Sequence, residues 1–322
     1  MPSLLVTVRR SPELEAAVGR HLPRVPVAYL GTEQTISDPA SVRALLVGSL
    51  ERELPSLRPE SFPNLRLVQS VFSGVDTVPF ERLGADVKVA GNVGAYAPFV
   101  AEHAVALALA VAKRIPSGQE EMRAGRLRPI AWSLQLSGGR AIVLGLGAVG
   151  REVARRLSGL GMSVEAVTRD GAPREGAGRT YPPAEFPVAA HGARLIVNCL
   201  PLTRATRGWV GKAAFDALGA GAIYVNVGRA ETTDPEALRL WLDAEPTSGA
   251  GIDVWWEEQF ETGTVRLPFP LDGRPNLVAS PHRAGHVAEA VAAGYEAALT
   301  NLSAYFGGRP VRGVVDRSEY PG

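Results

Sequence analysis

The chain reads as an α/β protein made of two doubly wound parallel-sheet domains. Three observations predict this. Short apolar runs alternate with helical patterns along most of the chain, and strands separated by helices form parallel sheets with helices on their faces. The alternation comes in two series, parted by a long apolar helix at about 98–114. The length, 322 residues, suits one large or two ordinary domains. A pocket between two domains is a common ligand site, so the active site is expected in the interdomain cleft.

In the first series, "LLVTV", "VPVAYL", "ALLVGS", "LRLVQSV" and "VKVAG" read as strands, with "PELEAAVGRHL" as a helix among them. The helix that follows, containing "FVAEHAVALALAVA", carries Glu102 and His103 and is too short to span a membrane, which needs about 20 apolar residues. It is expected to be buried. The second series runs "AIVLG", "SVEAVT", "RLIVNCL", "AIYVNVG", "GAGIDVW" and "NLVASP", with helical patterns such as "AVGREVARRLSGLG" and "DPEALRLWL" between most of them. Glu257 to Pro275 is rich in Pro and Gly and is expected to be an irregular loop. A last helix is predicted over about 286–306.

Bulk properties exclude several classes. With 46% hydrophobic and 21% charged residues the chain is globular. A net charge of +1 gives no electrostatic case for nucleic acid or an acidic membrane. One cysteine, Cys199, rules out an internal disulfide framework and fits a reducing compartment. The N-terminus shows no signal-peptide pattern. A cytoplasmic location is therefore expected. No Cys or His cluster has metal-ligand spacing, so no metal is expected.

"AIVLGLGAVGREVARRL" places Gly145, Gly147 and Gly150 in G-x-G-x-x-G spacing between an apolar strand and an amphipathic helix. Gly145 permits the turn, Gly147 lets backbone approach a pyrophosphate, and Gly150 allows helix and strand to pack closely. The amides of Ala148 and Val149 open the helix and can face the anion. A dinucleotide site usually ends its second strand in an acid that holds the ribose. Here "VEAVTRDGAP" ends in Thr168 and Arg169, with Asp170 beyond. A guanidinium pairs well with a 2′-phosphate and an acid would repel it. The expected cofactor is therefore NADP, with NAD as the alternative.

Three further strand ends carry chemistry: "VNVGRAETTDPEAL" with Arg229, "AGIDVWWEEQF" with Asp253 and Glu258, and "NLVASPHRAGH" with His282. Ligands in open α/β sheets gather at the carboxyl ends of strands. Arg can hold a substrate carboxylate and polarise its carbonyl. His can pass a proton to or from an alcohol oxygen. A Glu on the other ring nitrogen orients the imidazole. With a nicotinamide, these parts interconvert a 2-oxo acid and a 2-hydroxy acid. In "FSGVD", the amides of Ser73 and Gly74 can point at a substrate carboxylate. Phe72, Tyr96 and Trp255 read as pocket walls or core. His103 and His286 read as structural, and Cys199 as small apolar packing.

The ordered stretches "SVFSGVDTVP", "VAEHAVALALA", "LGLGAVGREVA", "CLPLTRATRGWVG", "VNVGRAETTDPEAL", "GIDVWW" and "SPHRAGH" resemble the D-isomer-specific 2-hydroxyacid dehydrogenase family. The resemblance implies two Rossmann-like domains. Residues 1–97 with 287–322 would form the substrate domain, and 98–286 the dinucleotide-binding domain. It implies Arg229, Glu258 and His282 as the catalytic set. It also implies cofactor contacts from Leu200, Pro201, Thr206, Val227, Asp253, His282 and Gly285, beside those of the glycine turn. Ala230 stands where the family usually has Gly, and Gln259 where it usually has Pro. These departures leave both Glu257 and Glu258 open as the His282 partner. The expected activity is glyoxylate or hydroxypyruvate reduction by a homodimer. The alternatives are a D-lactate or phosphoglycerate-type dehydrogenase, or a nucleotide-sensing, corepressor-like binding protein.

Overall fold

The computed structural model describes residues 3–31, 38–127, 132–260 and 262–320. Its backbone divides into two compact units, Met1–Tyr96 with His286–Gly322, and Ala97–Gly285.

The first unit begins with β1 (Leu4–Val6), α1 (Pro12–His21), β2 (Val27–Tyr29), β3 (Ala44–Val47), α2 (Leu50–Glu53), β4 (Leu67–Ser70) and β5 (Lys88–Ala90). Its sheet is parallel in the order β2-β1-β3-β4-β5. That is the flavodoxin-like version of the doubly wound sheet, with its switch point between β1 and β3. Alternate strand residues feed opposite faces. Leu4, Val6, Ala44 and Leu46 pack with Leu14 and Val18 of α1. Leu5, Leu45, Val47 and Val68 enter a second core on the other face.

The second unit opens with α3 (Ala97–Ala112) and α4 (Ile115–Arg123). α3 is the helix expected at about 98–114. Arg114, in a left-handed conformation at φ 51°, separates it from α4, which has Pro116 in its first turn. There follow β6 (Arg140–Leu144), α5 (Ala148–Gly159), β7 (Ser163–Val167), β8 (Thr180–Tyr181), α6 (Phe186–Ala190), β9 (Leu195–Asn198) and α7 (Lys212–Asp216). Then come β10 (Ile223–Asn226), α8 (Pro235–Ala244), β11 (Gly249–Ile252), β12 (Glu257–Gln259), β13 (Thr264–Arg266) and β14 (Leu277–Ala279). The sheet order is β14-β11-β10-β9-β6-β7-β8, all parallel. The order reverses between β6 and β9, where a doubly wound sheet leaves room for a ligand.

The stretch 257–275 is not wholly irregular. β12 and β13 pair as an antiparallel hairpin outside the main sheet. Its strands are largely exposed, so no apolar alternation marks them. Glu261, in the same stretch, lies outside the described residues.

α3 buries Ala101, Ala104, Leu107, Ala108 and Val111 against β6, β9 and β10. It also approaches β11 closely because β11 reads Gly-Ala-Gly-Ile. A Cβ on Gly249 would lie 2.6 Å from Val111 Cγ1, and one on Gly251 2.9 Å from Leu107 Cβ. The chain ends with α9 (Ala288–Phe306), which belongs to the first unit. Ala298, Leu299 and Leu302 of α9 join the core of β1 and β3, and Asn301 donates to Gln69 Oε1 at 3.0 Å. Among the described residues no helix is long and apolar enough to cross a membrane, and no His, Cys, Asp and Glu group could hold a metal.

Candidate active site

At the β6–α5 turn the three glycines have separate roles. Gly145 sits at φ +85°, a region that favours glycine, and its amide donates to Val167 O at 2.9 Å. A Cβ on Gly150 would lie 2.0 Å from Gly145 O, so α5 can start this close to the strand only without one. A Cβ on Gly147 would meet nothing within 4 Å. The protein does not need glycine there for its own packing, and the open space is what a backbone-bound pyrophosphate requires. Gly147 precedes α5, and no side chain caps the helix start. The first-turn amides of Ala148, Val149 and Gly150 are therefore available to an anion. On these two observations the turn fits a dinucleotide.

Neighbouring loops complete this edge of the sheet. Asn198 and Asn226, fully buried, end β9 and β10. Asn198 Oδ1 accepts from the Leu200 amide, and Asn226 Oδ1 from the Gly228 amide, both at 3.0 Å. A Cβ on Gly228 would fall 2.5 Å from Leu200 O, so the loop bearing Val227 and Arg229 lies against Leu200. Leu200 in turn reaches Gly145: a Cβ there would be 3.2 Å from Leu200 Cδ2. Thr206 has its hydroxyl engaged inside its own loop, donating to Pro201 O at 2.6 Å. It shapes that loop. Cys199 packs against the core, and desolvation pushes its thiol up to about 12, so it packs as a neutral group.

At the end of β7, the Thr168 amide extends the ladder to Tyr181 O at 3.0 Å, and its side chain is buried. Arg169 is exposed. Asp170 Oδ1 lies 3.4 Å from Thr168 Oγ1, and Arg174 grips both Asp170 oxygens at 2.8 and 2.9 Å. The Arg174 guanidinium, with the Ala172 amide, holds this carboxyl below its ordinary range. An acid does stand near the strand end, already paired to a cation.

The catalytic candidates share the carboxyl edge of the same sheet. The Arg229 carbonyl accepts from Asn226 Nδ2 at 3.1 Å and Thr232 Oγ1 at 2.7 Å, which fixes the backbone that carries its guanidinium. Glu258 Oε2 lies 2.6 Å from His282 Nδ1, while Oε1 accepts the Trp255 amide at 2.8 Å. Glu257 faces outward toward Arg266. The geometry thus selects Glu258 as the ring's partner. Trp255 is buried rather than a pocket wall, and its indole donates to Ser280 O at 2.9 Å. Phe260 lies edge-on to the His282 ring at 5.3 Å, a neighbour that no sequence signal marked.

His282 sits at φ 46°, one of two non-glycine residues with positive φ among those described. Asp253 holds this turn. Its carbonyl accepts the His282 amide at 2.8 Å, and its two carboxylate oxygens accept the amides of Arg283 and Ala284, each at 3.0 Å. Burial by itself would raise the Asp253 carboxyl. Hydrogen bonds from His103, Ser280 and the two amides outweigh burial and hold it below the usual range. Gly285 follows at the end of this turn.

In the first unit, the Phe72–Gly74 loop is clamped from three sides. The Phe72 amide donates to Ser70 Oγ at 2.9 Å, Ser73 Oγ donates to Asn92 O at 3.0 Å, and the Asn92 amide donates to Phe72 O at 2.9 Å. A Cβ on Gly91 would lie 2.5 Å from Ser73 O. The amides of Ser73 and Gly74 meet no acceptor among the described residues. Phe72 is 53% exposed and Tyr96 packs 6.3 Å from it.

Residues 105–284 match the D-isomer specific 2-hydroxyacid dehydrogenase, NAD binding domain. The chain belongs to the D-isomer specific 2-hydroxyacid dehydrogenase family. This dehydrogenase is an oxidoreductase acting on the CH–OH group of donors with a nicotinamide dinucleotide. It is 29% identical to a glyoxylate/hydroxypyruvate reductase of Arabidopsis thaliana, over 77% of this chain and 76% of that one. A D-isomer specific 2-hydroxyacid dehydrogenase from Xanthobacter autotrophicus, solved with NADPH and MES, superposes with a TM-score of 0.81 at 26% identity, covering 98% of each chain. An NADPH-dependent glyoxylate/hydroxypyruvate reductase from Sinorhizobium meliloti gives 0.78 at 26% identity and covers both chains in full.

Proposed function

We propose that this dehydrogenase reduces glyoxylate or hydroxypyruvate to the 2-hydroxy acid with NADPH. The observation that carries the reading is the His282–Glu258 pair, 2.6 Å apart on the carboxyl edge of the sheet that bears the glycine turn. When bound, the nicotinamide supplies the hydride. His282 Nδ1–H donates to Glu258, which leaves a proton at Nε2 for the forming hydroxyl oxygen. Arg229 binds the substrate carboxylate and polarises its 2-oxo group. Ser73 and Gly74 offer two further amide donors for a carboxylate. Leu200, Pro201, Val227, Thr206, Asp253 and Gly285 are assigned to cofactor contact, with the amides of the glycine turn.

NADPH is favoured over NADH because no carboxylate ends β7 and the nearby Asp170 is paired to Arg174. Arg169 is the assigned 2′-phosphate contact. The choice of substrate rests on the names of the relatives. A homodimer and a cytoplasmic location are also proposed. The homodimer is supported by the exposed apolar side chains of Ile115, Met122, Leu127 and Trp132, with Leu127 86% and Trp132 93% exposed; light scattering of the purified protein reads the oligomeric state.

One experiment tests both parts. Initial rates are measured with NADPH and NADH against glyoxylate, hydroxypyruvate, pyruvate and larger 2-oxo acids. The reading expects the highest kcat/KM for a two- or three-carbon 2-oxo acid with NADPH. Arg169→Ala is expected to weaken NADPH by about ten- to a hundredfold, the worth of charge-assisted hydrogen bonds to a phosphate, and to leave NADH nearly unchanged. A wild-type preference for NADH overturns the cofactor assignment. Nucleotide binding without turnover on any 2-oxo acid favours the sensing protein.

A further inference from the structure

We propose that His103 is a positioning residue for the proton transfer, acting through Ser280 and Asp253 on the turn that carries His282. The sequence suggested packing for His103. Its environment is not that of a packing residue. His103 Nε2 lies 2.9 Å from Ser280 Oγ and 3.3 Å from Asp253 Oδ1. Ser280 Oγ itself lies 2.5 Å from Asp253 Oδ1. A carboxylate can only accept, so the Ser280 hydrogen is committed to Asp253. What Ser280 and Asp253 offer to the ring is then lone pairs, and His103 must carry its proton at Nε2 to serve both.

The backbone brings this ring into place by a matched repeat. His103, Leu107 and Val111 are spaced i, i+4, i+8 along α3, about 6 Å per step. Asp253, Gly251 and Gly249 are spaced by two along β11 and its extension, about 6.6 Å per step. Val111 packs over Gly249 and Leu107 over Gly251. The next step of the same register sets His103 over Asp253. The two glycines admit the helix close enough for the ring to reach the carboxylate.

The consequence falls on His282. Three successive amides, of His282, Arg283 and Ala284, all donate to Asp253. They hold a non-glycine residue in the left-handed region, where a side chain persists only when its surroundings over-determine it. Asp253 is 1% exposed, so a lost donor is not readily replaced from solvent. Without the His103 hydrogen bond, Oδ1 keeps Ser280 and the Arg283 amide, but nothing from the helix fixes the carboxylate plane. The His282 ring then samples positions away from the one set by Glu258.

This inference rests on His282 as the proton carrier, and its test has an arm that needs no substrate. His103→Leu is expected to lower kcat by about ten- to a hundredfold, the cost of a misplacement near 1 Å. The KM for the 2-oxo acid should stay close to wild type, and the dissociation constant for NADPH should change far less than kcat, because Asp253 is one of several assigned cofactor contacts. The deuterium isotope effect with 4-deuterated NADPH should rise, because chemistry becomes slower relative to release. His103→Gln places an N–H donor near the Nε2 position and should restore most of kcat. Ser280→Ala removes one link with little change in volume, and its effect should fail to add to that of His103→Leu. In the substrate-free arm, amide hydrogen exchange over 282–284 should speed up in His103→Leu and not in His103→Gln. Wild-type kcat in His103→Leu, equal impairment of Leu and Gln variants, or unchanged exchange over 282–284 each overturns the proposal. If His103→Leu does not fold, Ser280→Ala and His103→Gln decide it by the same kcat and exchange readouts. If the wild type turns over no 2-oxo acid, the functional reading fails, while the exchange result still decides the role of His103.

Discussion

Alanine in place of His282 is expected to lower kcat by about a thousandfold, within the range that positioned acid–base groups contribute. The dissociation constant for NADPH should change little, because the proposed pyrophosphate contacts at Gly145–Gly150 lie on another loop. The neighbour of the ring makes the expectation sharper. Both oxygens of Glu258 act as acceptors, one for the Trp255 amide and one for the His282 ring. Glu258→Gln keeps the shape and only one acceptor. If the remaining oxygen stays with Trp255, the new NH2 faces Nδ1, which must then accept, and the ring is held as the neutral Nε2–H form. Such a ring has no proton to give without becoming an anion. Glu258→Gln should therefore approach the His282→Ala rate although nothing has been removed from the site. A Glu258→Gln enzyme with near-normal kcat sinks the assignment of Glu258, and a His282→Ala enzyme with near-normal kcat sinks the proton carrier itself.

Much of this site was legible because its residues stand at the ends of apolar runs. "LIVN", "IYVN" and "AGID" each close on a polar residue, and parallel strands put those ends on one edge. Asn198 and Asn226 carried the same signal and were passed over, since a lone Asn after a strand suggests a turn as readily as a buried brace. Glu257 and Glu258 could not be separated by reading, because a strand-end loop has no fixed period. The antiparallel pairing of β12 with β13 orients them oppositely, Glu258 toward His282 and Glu257 toward Arg266. The contact of His103 with Asp253 lay further out of reach. It depends on Gly249 and Gly251, some 150 positions away along the chain, admitting a helix to a strand. No local pattern carries that information. The pairing of Asp170 with Arg174 is likewise a loop geometry that spacing alone does not define.

Gly150→Ala is expected to weaken NADPH by about a hundredfold or more, the scale of a displacement near 1 Å at a site that depends on orientation. The new Cβ would lie 2.0 Å from the carbonyl oxygen of Gly145, well inside any real contact. That oxygen is backbone, so a side chain cannot swing away to relieve it. Either α5 moves off β6 or the Gly145 turn opens, and both movements displace the amides of Ala148 and Val149. The melting temperature without ligand should fall as well, because Gly150 is buried in the helix face that packs on β6. Gly147→Ala separates the two effects. At φ −74° alanine is unstrained, and its Cβ would meet no protein atom within 4 Å. The ligand-free protein should melt at or slightly above the wild-type temperature, as replacing an unstrained glycine narrows the unfolded ensemble. NADPH affinity should still fall, since the added methyl occupies the open space in front of the first-turn amides. Calorimetric melting and cofactor titration of the two variants read this difference directly. A Gly147→Ala protein that binds NADPH as well as wild type shows that the pyrophosphate lies elsewhere. A Gly150→Ala protein that keeps both affinity and stability shows that α5 does not need its close approach to β6.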